Sequence, residues 1–213
     1  MGNRAVITSS RAYDVSSSSD IGVYLHWNGG RDSVEAFLKY CELKGYRSPD
    51  VDCYGWARLC QVIGNFFGGS TSVGIDKCCN LDCDNWDNGT YIIKGWKIVD
   101  RKYLHGMEQN HYNLNEMLKI IDDHMPEKER LGDFLNAKEI SVQDVKVGDV
   151  VFIFDELYNI YEKCTVVGIG DSEWSSYYRT TGVPYVDKYP NAEHGYAWNI
   201  NNYIKSKTVR VCR

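Results

Sequence analysis

The chain has 213 residues, with 24 lysines and arginines against 29 aspartates and glutamates and a formal net charge of −5. That length suffices for one large domain or two small ones whose cores need no disulfide staples. Interspersed charge of both signs disfavours both the basic field of a nucleic-acid binder and the dense anionic face of a duplex mimic, and no run approaches the roughly twenty apolar residues of a membrane span.

Residues 1–20 contain Ser16-Ser17-Ser18-Ser19 and little apolar material, and they lack the basic-then-apolar order of a secretion signal. They read as a flexible tail or an early edge strand. A soluble, cytoplasmic protein is therefore expected. Its eight cysteines, Cys41, Cys53, Cys60, Cys78, Cys79, Cys83, Cys164 and Cys212, then belong to a reducing compartment, as buried thiols or metal ligands rather than disulfides.

Residues 23–27 read as a strand that breaks at Gly29-Gly30 and opens into a helix. Val34, Phe37, Leu38 and Cys41 form one apolar stripe on that helix, Asp32 and Glu35 have capping-box spacing, and Gly45 is a natural stop. A second helix is expected over 54–67, with Trp56, Leu59, Cys60, Ile63 and Phe67 on one side and Gly68-Gly69 ending it. Residues 73–75, 90–93 and 96–99 suggest a small sheet, the last two strands turning at Lys94-Gly95. A third helix starts at Asn113, capped with Glu116, and carries Leu114, Met117, Leu118 and Ile121 before Pro126. The charged stretch 127–139 reads as a helical linker.

Beyond Ile140 the pattern turns β-rich, over 145–154, 163–170 and 208–212, with glycine punctuation. The tyrosine-rich stretch 172–203 reads as a long binding loop. The expected fold is α+β: a mixed α/β domain with a small sheet and three helices over 21–126, the linker, and a small SH3-like β-barrel over 140–213.

Three groups of residues suggest chemistry. The segment Asp76 to Gly89 gathers Cys78, Cys79 and Cys83 with four aspartates, and zinc favours thiolate and imidazole in a tetrahedral set. Cys79 and Cys83, joined by His26 and Cys53, are the candidate ligands of a structural zinc; the other reading is a turn-rich loop whose carboxylates cap backbone amides. Cys53, placed where a helix N-terminus would lower its pKa, is a candidate nucleophile. Trp27 and Arg31, at the tip of the first strand-to-helix junction, are candidate partner contacts. Gly29-Gly30 lacks the lysine and hydroxyl residue of a phosphate loop.

Asp52-Cys53-Tyr54-Gly55 resembles the nucleophile motif of the NlpC/P60 papain-like peptidases, with Tyr54 in place of serine, and Val147 to Phe152 resembles their later strand. No histidine follows where that family places its base. The runs from Val23 to Cys41, from Asp52 to Asn65 and from Leu81 to Gly89 resemble an uncharacterised family of bacterial conjugative elements and phages. Such elements encode anti-CRISPR inhibitors, some of them zinc-containing. The resemblance implies a non-enzymatic anti-defence protein that inhibits a type II CRISPR nuclease by direct binding, and the charge pattern disfavours direct nucleic-acid contact. A thiol hydrolase using Cys53 and an element-maintenance interaction module are the alternatives.

Overall fold

The computed structural model describes residues 2–69, 71–155, 160–171, 176–181, 197–199 and 208–213. They form two compact units, Met1–Arg130 and Leu131–Arg213. The described residues are mixed α+β, with three α-helices and two sheets. No helix among the described residues is long and apolar enough to cross a membrane.

In the first unit a five-stranded sheet has the order β3-β2-β1-β4-β5, built from β1 (Ala5–Thr8), β2 (Ile21–Leu25), β3 (Val73–Lys77), β4 (Thr90–Lys94) and β5 (Lys97–Lys102). Only β1 and β4 pair in parallel. The expected N-terminal tail or edge strand is thus corrected: four of its residues are the central strand, and all four are buried. A strand covered on both faces loses the alternation that marks a half-exposed one. The serines around it are also built in. Ser10 Oγ donates to Ser18 Oγ at 2.9 Å and Ser18 Oγ to Asp20 Oδ2 at 2.8 Å, so short hydroxyls satisfy one another in a tight turn.

Successive strand residues face opposite sides. Val6, Tyr24 and Ile92 share one side with Val15, Cys78 and Cys83. On the other, helix α1 (Arg31–Leu43) places Arg31 over the Tyr91 ring. α2 (Cys53–Phe66) and α3 (Leu114–His124) pack with α1. Most of the predicted stripes are buried: Val34, Phe37, Leu38 and Cys41; Trp56, Leu59 and Ile63; Met117, Leu118 and Ile121; Phe67 is half-buried and Leu114, at the start of α3, is exposed. Cys60 sits at the margin, half-buried beside Cys41, and burial pushes its thiol up to about 11. Asn113 and Glu116 close the expected capping box.

Gly64 faces open space on α2. Gly64→Ala is expected to stabilise the protein by about 0.4–1 kcal/mol, because alanine has the higher helix propensity and restricts the unfolded chain. A shift of the urea midpoint checks this.

The charged linker is not one helix. It consists of short 3-10 turns at Glu127–Glu129 and Gly132–Asn136, followed by β6 (Lys138–Ser141). Gly132 at φ +53° breaks any continuous helical path. The second unit's sheet has the order β10-β9-β8-β7-β11-β6, with β7 (Val150–Asp155), β8 (Ile160–Asp171), β9 (Ser176–Thr181), β10 (Ala197–Asn199) and β11 (Thr208–Cys212). Every neighbouring pair is antiparallel, and no pairing closes the sheet among the described residues. Val145, Val151, Cys164, Val166 and Val211 form its core. Apart from β9 and β10, the tyrosine-rich stretch 172–203 lies outside the described residues.

Candidate functional site

One end of the first sheet gathers the start of β1 and β4, the ends of β2 and β5, and the start of β3, as the pairings Ala5↔Leu25, Leu25↔Val73, Val6↔Thr90 and Thr90↔Lys102 require. Residues 2–4, 26–30, 81–89 and 103–113 leave the sheet here. Outside a strand ladder their backbone groups need other partners, and buried side chains provide them. Asn85 Nδ2 donates to the carbonyls of Asp82 and Gly89, while its Oδ1 accepts from the amides of Asp87 and Gly89. Asn88 Oδ1 accepts from Gln109 N at 2.8 Å, and its Nδ2 donates to Asn3 Oδ1 and Arg4 O.

Two arginines complete the brace. Arg101 donates to Asn88 O at 2.6 Å, to Gly106 O at 3.0 Å and to Asp87 O at 3.3 Å, tying two turns to β5. Arg4 Nε lies 2.7 Å from Asp87 Oδ2, and that hydrogen bond raises the arginine pKa further above its usual value. Two carboxylates of this loop also accept from backbone amides, Asp87 Oδ2 from Arg4 N and Asp76 Oδ1 from Lys77 N.

The braced turns carry exposed apolar side chains. Trp86, at φ +59°, is 69% exposed; Leu104 is 65% and Met107 90% exposed. Trp86 stacks on His105 with ring centroids 5.0 Å apart at 27°, and His105 Nε2 lies 3.6 Å from Asp84 Oδ2. Large apolar groups exposed on hydrogen-bonded turns suit association with another macromolecule.

The expected zinc ligands do not fit a tetrahedral set. Among the described residues no three His, Cys, Asp or Glu side chains gather as a metal group. Cys79 is exposed and bonded to Asn80, whereas Cys83 is buried and donates to Cys78 O. His26 shares a hydrogen bond with Tyr24 Oη at 3.2 Å and meets the edge of Trp27. Cys53 is exposed at the first residue of α2, whose cap is the Asp52 side chain accepting from Tyr54 N. No histidine among the described residues hydrogen-bonds Cys53.

The two candidate contact residues part company. Trp27 is 46% exposed. Arg31 Nε is held 2.7 Å from Glu108 Oε1 and its Nη1 3.3 Å from Glu35 Oε1, so its charge fastens α1 to the 103–113 segment. The glycines beside it serve close packing: Gly29 N donates to Asn3 O, and a Cβ on Gly30 would lie 2.6 Å from Gln109 O.

Sequence reasoning passed over Trp86, Leu104 and Met107 because isolated apolar residues in aperiodic segments carry no pattern. The density of Asn, Asp and Gly over 84–89 was the available signal for an ordered turn. No protein-family model, curated protein or solved structure matches the chain.

Proposed function

We propose that the protein is a non-enzymatic binding protein of a mobile element that inhibits a type II CRISPR nuclease by direct contact, using the face that carries Trp86, Leu104 and Met107. The observation that supports this reading is the exposure of those three side chains on turns fixed by Asn85, Asn88 and Arg101. A contact surface that is ordered before binding loses less entropy on docking, which favours affinity. Trp27, near the same end of the sheet, would extend the face. In this reading the second unit is a small SH3-like barrel; the antiparallel run β7-β8-β9 and the irregularity between Val166 and Gly168 support such curling.

The test uses the purified full chain with a guide-loaded type II nuclease. Binding and inhibition of target cleavage are expected, and the double variant W86A/M107A is expected to weaken binding by at least about tenfold, as removal of central apolar anchors does. Absence of both binding and inhibition by the unaltered protein would overturn the proposal. Unchanged affinity in the double variant would move the contact elsewhere on the chain.

A further inference from the structure

We propose that Cys78 and Cys83 form an oxidation site, in which a peroxide joins the two thiols in one intramolecular disulfide. The placement is specified by backbone as well as side chains. Cys78 and Cys79 anchor a 3-10 turn, Cys78–Asn80, through their amides to Asp20 O and Ser18 O, each at 2.9 Å. The chain then doubles back, with Leu81 N donating to Cys78 O at 3.0 Å and Cys83 N to Leu81 O at 2.9 Å. This return brings Cys83 Sγ within 3.4 Å of Cys78 O, so the Cys83 thiol lies against the Cys78 peptide. Both belong to the apolar cluster of Val6, Val15 and Ile92, and Cys78 Sγ also lies 3.3 Å from Thr8 Oγ1.

A disulfide needs two side chains that can meet with little backbone movement, and this turn sets the Cys83 thiol against the Cys78 peptide with both residues in one buried cluster. Burial keeps bulky oxidants out, while hydrogen peroxide is close to water in size. The neighbours Cys79 and Asn80 are exposed, so local opening of one surface turn admits it. The Cys78 thiolate displaces hydroxide from the peroxide, forming an S–O bond as the O–O bond breaks. The Cys83 sulfur then attacks the resulting sulfenic acid, forming the S–S bond and releasing the oxygen as water. Two thiols lose two protons and two electrons, and one peroxide becomes two waters.

The bridge would also act on the neighbouring turn. Cys83 O accepts from Thr90 Oγ1 at 2.9 Å, and the Asp84–Trp86 turn begins at the next residue.

The experiment uses the full chain carrying C53S and C79S, which removes the two exposed thiols and leaves six of the eight. Alkylation under denaturing conditions is expected to count six thiols before peroxide, four after it, and six again after dithiothreitol. Mass mapping is expected to find residues 78 and 83 cross-linked with the loss of two hydrogen atoms. Six thiols persisting after peroxide, a cross-link between other cysteines, or a co-purifying metal that protects both sulfurs would each overturn the proposal. Adding C83S should hold the count at five; if that variant fails to fold, the cross-link map of the parent decides alone.

Discussion

Asp32→Ala is expected to be among the most destabilising single substitutions in the first unit, at about 3–5 kcal/mol. Asp32 is only 7% exposed, and its carboxylate accepts three backbone hydrogen bonds: from Ser33 N at 2.7 Å, Tyr112 N at 2.7 Å and His111 N at 2.5 Å. Alanine would leave those amides without the acceptor they have in a site too enclosed for water to replace it fully. The charge also lies in the first turn of α1, where the helix dipole favours an anion. Asp32→Asn keeps one acceptor oxygen but turns an amide nitrogen toward at least one N–H group, so about half of the loss is expected. Amide exchange supplies the local check, since protection at His111 and Tyr112 should fall before that of the α2 core. Retained protection at both amides in Asp32→Ala would show that the clamp does not depend on this carboxylate.

Asp32 also shows where the sequence could and could not be read. Its spacing from Glu35 matches a capping box, yet the observed N-cap is Gly30, which has no side chain to contribute, and the carboxylate reaches a segment almost eighty residues away. Local spacing cannot distinguish a cap from a long-range clamp when both use an aspartate near a helix start. The Asn113 and Glu116 pair was legible because both of its bonds are local. The three helices were legible for the same reason: their apolar stripes repeat at helical spacing over at least two turns, long enough for period to outweigh composition. β1 was read as a tail or an edge strand rather than as the sheet's centre because four residues buried on both faces have neither length nor alternation. The candidate site was the least legible part. Arg31 looks like an exposed contact residue in the sequence, but the carboxylates of Glu108 and Glu35 hold it, while Leu104 and Met107 gain importance only from what lies beneath them.

Gly106→Ala is expected to abolish the proposed docking face while leaving the helical core folded. A Cβ at this position would lie 2.0 Å from Asp87 O, 2.6 Å from Trp86 O and 2.7 Å from Asp87 C, and backbone atoms cannot rotate aside as a flexible side chain can. The two turns must therefore separate. Separation moves the carbonyls of Asp87, Asn88 and Gly106, which Arg101 holds with a single guanidinium, and it unstacks Trp86 from His105. The expected cost is about 2–4 kcal/mol, confined to the loop end because the displaced contacts are there. Gly74→Ala is the matched control: it lies in the same sheet, and its nearest neighbours, Tyr24 Cβ and Cδ1, would sit at ordinary contact distances of 3.7 and 3.9 Å. His105 ring proton shifts in the nuclear magnetic resonance spectrum are expected to lose the ring-current effect of Trp86 in Gly106→Ala and to keep it in Gly74→Ala. Nuclease affinity should follow the same division. A Gly106→Ala protein that kept both the stacked His105 signal and full affinity would show that the turns can part without consequence, and the brace would then have no role in presenting the apolar face.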